Sequence, residues 1–310
     1  MRGYLSRSVH SFNRNKLLGV LAETEFRRYL TTLGFANQVS AGGWISRSEA
    51  RGDASFAENA IVYFPEILTP GTNYAGTREA PRPHLGLHTI CATFHQLGIK
   101  SYFCSASVDA LVNGIPRLTW RCQQLGLPTE QPILEFPSHL TGFNARPEPY
   151  NFLRYHANTE RLRDEYVAEE FSKEALRVAF ANRFFAQTSD IDGMFWGQRH
   201  TYPIEIKEKT VAQSDAVGEY FGLDVGPFVK LSYFAAKRGN MRSLFVVHQV
   251  SDVATRQHVA WHYITFDDLA QCGSWVPIAG GTNMGGGRSS TVCIPKSKFR
   301  LLDRDALSAL

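Results

Sequence analysis

No stretch of the 310 residues approaches the ~20 consecutive apolar residues that a membrane-crossing helix needs. The amino-terminal MRGYLSRSVHSFNRNKLLGV lacks the continuous apolar core of a secretory signal, so a cytoplasmic location is expected. The five cysteines, at 91, 104, 122, 272 and 293, form no Cys-x-x-Cys pair; their odd number and wide spacing suit reduced thiols and count against structural zinc or a disulfide framework. The glycine-rich GGTNMGGGRSS lacks the Gly-Lys-Ser/Thr ending of a phosphate-cradling loop, which counts against nucleoside-triphosphate binding and leaves a loop. No fixed-period repeat is present, which excludes solenoids and propellers.

What the chain does have is enough apolar material for a core. Apolar residues make up 44% and charged residues 20%, with 21 Phe, 12 Tyr and 5 Trp, a composition that folds. The length permits one large domain or two modest ones. A formal net charge of +4 permits a polyanionic partner without amounting to a basic tail.

Residues 16–33 carry Leu17, Leu18, Leu21, Glu25 or Phe26, Tyr29, Leu30 and Leu33 at helical spacing, with Gly34 as a stop. Residues 36–150 are richer in Gly, Pro and Ser, with short apolar runs such as AIVYFPEIL and SYFCSASV, and read as mixed structure with long loops. Residues 159–186 suit one long helix or two short ones. A helix around FVKLSYFAAKRG and strands at SLFVVHQV and HVAWHYITF follow. The class is α/β (α+β), a mixed sheet flanked by helices.

His84, His88, Cys91 and His95 fall at offsets that put them on one helix face. One helix cannot surround a metal ion with all four, and the interleaved Leu87, Ile90 and Phe94 favour ordinary helix packing.

The chemistry concentrates in TSDIDGMFWGQRHTYPIEIKEKT, Thr188 to Thr210. Alternation on a strand sends Ile204 and Ile206 to one face and Glu205 and Lys207 to the other. Asp190 and Asp192 share a face on the preceding segment, and the Gly197 reversal at GQRHT folds that segment back as an antiparallel neighbour. Asp192, Glu205 and the Ile206 carbonyl would then supply oxygens to a hard divalent cation such as Mg²⁺. The Lys207 ammonium would orient a water and offset charge growing on a phosphate, chemistry that suits phosphodiester hydrolysis.

Asp192 followed by Glu205-Ile206-Lys207 resembles the PD-(D/E)XK nuclease superfamily, the fold of most type II restriction endonucleases. Ile191 stands where that family often has proline, and Asp190 competes with Asp192 for the first metal-binding position. AETEFRRYLTTLGF is similar to the family's first core helix, with Glu23 as its acid; Glu169 or Glu170, on the later helix, is a rival for that role. The resemblance implies a restriction-endonuclease-like core from residues 1–35 and 151–310, with 36–150 as an inserted region for target recognition. It also implies Mg²⁺ as cofactor, double-stranded DNA as substrate, a homodimer, and a DNA methyltransferase that protects the host.

Lys209, Lys230, Lys237, Arg238 and Arg242 follow the motif and would meet backbone phosphates. Two other functions fit the same residues. One is a repair or recombination nuclease that cuts by DNA structure; the other is a non-catalytic DNA-binding module whose Asp192, Glu205 and Lys207 form only an ion-pair cluster.

Overall fold

Ala22, Phe26 and Leu30 recur every four residues, and in a computed structural model of the chain they form the buried stripe of helix α1, Arg14–Thr32. Gly34 follows with φ +93, a left-handed conformation that glycine adopts freely, and Phe35 N bonds back to the Leu30 carbonyl to close the helix. The structure describes residues 14–47, 61–68, 81–112, 115–135, 144–145, 163–165, 168–169, 171–173, 175–176, 184–185, 187–237, 239–252, 254–274, 278–282 and 288–310. The chain divides into two compact units, Met1–Leu21 with Ala41–Ile191, and Ala22–Ser40 with Asp192–Leu310. Both mix helices and strands, so the class is α+β, as its sequence pattern indicates.

The first unit contains strands β1 (Val39–Arg47, entered from the other unit), β2 (Ile61–Pro65), β3 (Lys100–Val112), β4 (Ile115–Leu125) and β5 (Ile133–Glu135), adjacent in that order. β2 and β3 are parallel and joined through helix α2 (Leu85–Gln96); the other described pairings are antiparallel. Of the four metal-capable residues considered on α2, Cys91 is buried with Ile90 and Phe94, while His84, His88 and His95 are exposed. β6 (Asn144–Ala145) and β7 (Phe184–Phe185) pair with each other. Within 159–186 the described residues from 164 to 176 are helical, and the chain is already extended at Phe184.

In the second unit a mixed sheet runs in the order β8 (Gln187–Trp196, entered from the first unit), β9 (Thr201–Lys209), β12 (Leu244–Val250), β13 (His258–Thr265) and β16 (Arg300–Leu301). Only β9 and β12 are parallel, and helix α3 (Val225–Ala236) lies in the connection between them. An antiparallel sheet has the order β10 (Ala212–Ser214), β11 (Gly218–Asp224), β15 (Arg288–Pro295), β14 (Ile278–Thr282). The glycine-rich stretch expected as a loop is therefore partly sheet: Thr282 pairs with Arg288 and Ala279 with Ser290, and residues 283–287 lie outside the described ones.

Both faces of the mixed sheet are covered, which is why β12 opens on an unbroken apolar run from Leu244 to Val247. Ile204, Ile206, Val246, Trp261 and Tyr263 pack under α1, together with Leu307 of helix α5 (Arg304–Ala309). Phe245, Val247 and Ile264 pack on the opposite side with Leu231 of α3, Leu269 of helix α4 (Phe266–Cys272), Phe221 and Ile294. Glu205 and Lys207 lie beside Phe245 and Val247 in the ladder and share that second face. Among the described residues, no helix is long and apolar enough to cross a membrane.

Candidate active site

The hairpin that joins β8 to β9 turns at Gly197, whose N–H donates to the His200 carbonyl 2.9 Å away. From that turn the two strands stay in register from Trp196 and Thr201 up to Gly193 and Ile204. The next step of the ladder is different. Ile206 N–H donates to Asp192 Oδ2 at 2.8 Å, so a side-chain carboxylate takes the place of a backbone acceptor. In extended backbone the N–H and C=O of one residue point to the same edge, so the Ile206 carbonyl is turned toward Asp192 as well.

Glu205 and Lys207 stand on one face of β9 as alternation requires, and Lys207 Nζ lies 2.6 Å from Glu205 Oε1 and 4.0 Å from Asp192 Oδ2. One ammonium thus lies within ion-pair reach of both carboxylates. Asp192 and Glu205 are only 2% and 1% exposed, and Lys207 is 31% exposed. The acids are fixed by burial, while the lysine side chain is partly open to solvent.

A second lysine completes the group. Lys230, on α3, is buried with its Nζ 2.6 Å from Glu205 Oε2, a close ion pair out of line for a directional hydrogen bond. Read from the sequence as a phosphate contact, it is placed instead against the Glu205 carboxylate. What set it apart was visible only as a lysine on the apolar stripe of FVKLSYF. Lys209 extends the row on the same side of β9. Burial pushes its ammonium below the usual lysine range, and Lys207 adds to this, while Asp224 and Glu205 pull the other way. Asp224 is held by the hydroxyls of Ser289 and Thr291, both donating to its Oδ1 at 3.0 Å.

Glu23 is buried on α1, 7% exposed. One turn later on that helix, Arg27 Nη1 donates to the Asp192 backbone carbonyl at 3.4 Å, which ties α1 to the strand that carries Asp192. Asp190 is half-buried on β8. Glu169 is a buried helical residue of the first unit, and Glu170 lies outside the described residues. Of the other cations considered for DNA, Arg242 Nε lies 3.5 Å from Asp267 Oδ2, Lys237 sits 5.2 Å from the centre of the Tyr233 ring, and Arg238 lies outside the described residues.

Two buried carboxylates, a backbone carbonyl turned toward one of them, and one solvent-facing ammonium between them make a hard-oxygen group suited to a small divalent cation. The chain matches none of the protein-family models, curated proteins or solved structures compared with it.

Proposed function

We propose that the chain is a Mg²⁺-dependent endonuclease that hydrolyses phosphodiester bonds in double-stranded DNA, with a restriction-endonuclease-like core. The observation that carries this reading is the meeting of Asp192, Glu205 and Lys207 where β8 and β9 leave register. A purely structural cluster has a weak physical motive, because burying two carboxylates costs about as much as their ion pairs return.

The residues fit the cation. The Lys207 ammonium already stands where a positive charge satisfies both carboxylates, which makes it a stand-in for the ion. Asp192, Glu205 and the Ile206 carbonyl would hold Mg²⁺, which when bound stabilises negative charge on phosphoryl oxygens and acidifies water. Lys207, released toward solvent, donates to a phosphate oxygen and orients the attacking water. Lys230 holds the other oxygen of Glu205, so the carboxylate keeps its orientation while Lys207 moves. Glu23 supplies a further acid from α1. The family resemblance adds sequence-specific cleavage, a homodimer and a protecting methyltransferase, with residues 36–150 supplying target recognition; Lys209 and Arg242, which follow the motif, contact the DNA backbone.

Incubation of one plasmid with Mg²⁺ tests the reading. The wild type should give discrete fragments ending at one short sequence; cutting confined to nicks, flaps or junctions would make it a repair enzyme on the same core. Glu205→Gln and Lys207→Met should abolish cleavage and leave DNA affinity in place, and full cleavage by either variant overturns the assignment.

A further inference from the structure

Glu208 stands on the same side of β9 as Ile204 and Ile206, the side that packs under α1, yet it is a carboxylate. Its side chain is 3% exposed, and that of His248, its partner across the parallel ladder, is 5% exposed. Glu25 reaches the same spot from α1. The three offer one ligand atom each, and these atoms lie within 4.8 Å of one another.

The imidazole is set for ligation. His248 Nδ1 lies 3.3 Å from Glu208 Oε2 and 3.5 Å from Glu25 Oε2, buried and aligned with neither as a hydrogen bond. Its other nitrogen, Nε2, is 3.0 Å from His258 Nδ1, and Trp261 stacks on the ring at 4.3 Å. A ring fixed through one nitrogen, with the other turned into a pair of carboxylates, is the arrangement that outer partners impose on metal-bound histidines.

A cation already uses these oxygens. Arg256, in the turn between β12 and β13, places Nε 2.9 Å from both Glu208 oxygens and Nη2 3.3 Å from Glu25 Oε2. Two carboxylates and one guanidinium leave one negative charge uncompensated when the imidazole is neutral. Glu25, one-third exposed, leaves the cluster open to solvent on one side.

We propose that Glu25, Glu208 and His248 form a binding site for a transition-metal cation of the Zn²⁺ class, on the opposite face of β9 from Glu205 and Lys207. One imidazole nitrogen with two carboxylates selects such a cation over Mg²⁺. Arg256 holds the carboxylates in the metal-free chain and gives up Glu25 when the metal enters. The site stands independently of the nuclease reading, since it shares no ligand with Asp192 or Glu205.

Titration of the full chain with Co²⁺, in excess Mg²⁺, tests this through the visible absorption of nitrogen-ligated cobalt. One Co²⁺ per chain should bind, Zn²⁺ should displace it, and Asp192→Asn should leave it unchanged. His248→Ala should weaken binding by about tenfold or more. Because His248 is buried and its removal can disturb folding, Glu25→Gln on the accessible side gives the same test and should weaken binding similarly. Arg256→Gln, which removes the competing cation, should tighten it. Equal Co²⁺ affinity in wild type and Glu25→Gln, or no absorbing complex in a wild-type chain that is folded, overturns the proposal.

Discussion

Lys230 Nζ lies 2.6 Å from Glu205 Oε2, while Lys207 Nζ lies at the same distance from Oε1, so one buried carboxylate is held from both sides by ammonium groups. The two lysines differ in what surrounds them. Lys230 is 8% exposed and Lys207 is 31% exposed. Removing the buried partner leaves one side of a buried carboxylate without its counter-charge, and losses of this kind cost up to about 3–5 kcal/mol. Lys230→Met should therefore lower the urea midpoint by far more than Lys207→Met does. Cleavage in the two variants should rank the other way per folded molecule, with Lys207→Met the more severe. Equal urea midpoints for both variants would show that Lys230 does not carry the positioning of Glu205.

Asp192 has two separable duties, accepting the Ile206 N–H and supplying charge. Asparagine keeps an acceptor oxygen at that place and loses the charge, so Asp192→Asn should fold nearly as well as wild type yet fail to cleave. Alanine leaves a buried N–H without its acceptor, which costs about 1–3 kcal/mol on top of the lost charge. Chemical denaturation of both variants beside Mg²⁺-dependent cleavage checks this. An alanine variant as stable as the asparagine variant would mean that the Ile206 bond contributes nothing.

These two residues also show where sequence pattern succeeds and where it stops. Period-two alternation from Tyr202 to Lys207 is enough to put Glu205 and Lys207 on one face, and the Gly197 reversal is enough to bring Asp192 beside them. α1 was legible for the same reason, since Ala22, Phe26 and Leu30 repeat at helical spacing. Lys230 was not, because nothing in FVKLSYF says that the helix crosses back over β9 and turns a lysine inward; that is a tertiary fact. Glu208 and His248 lie 40 residues apart in sequence and meet only because β9 and β12 pair in parallel, a register that local pattern does not encode. The β14 and β15 flanks of the glycine-rich stretch were missed because glycine weakens every local strand signal, while cross-strand pairing fixes them anyway.

The alkaline limb of stability carries a signature of α1. Tyr29 donates its hydroxyl to the Leu302 carbonyl at 2.7 Å, and burial, with Asp303 adding to it, raises its phenol above the ordinary value of 10.0. The neutral phenol is the form the fold favours. Its contribution is fully present below pH 10.0, and it is lost as pH rises through the raised folded value. Tyr29→Phe removes the donor and the titration together. It should cost about 1 kcal/mol at neutral pH and make stability fall less steeply above pH 10. Urea midpoints measured across that range decide it; parallel curves for wild type and variant would remove Tyr29 from the alkaline transition.

Phe26 ties the helix to the sheet at the point where it matters for chemistry. The ring is 1% exposed and tilts against Trp261 at 5.3 Å between centroids, and the next residue, Arg27, is the one that reaches Asp192. Phe26→Ala would leave a cavity between α1 and the Ile204 face, a change that costs about 3–5 kcal/mol in well-packed cores. Thr31→Ala, on the exposed side of the same helix, should cost far less and serves as the control. If α1 positions Asp192 through Arg27, Phe26→Ala should also raise the Mg²⁺ concentration needed for cleavage at temperatures where the variant is still folded. An unchanged Mg²⁺ requirement in a destabilised but folded Phe26→Ala chain would separate the two roles and leave α1 as packing alone.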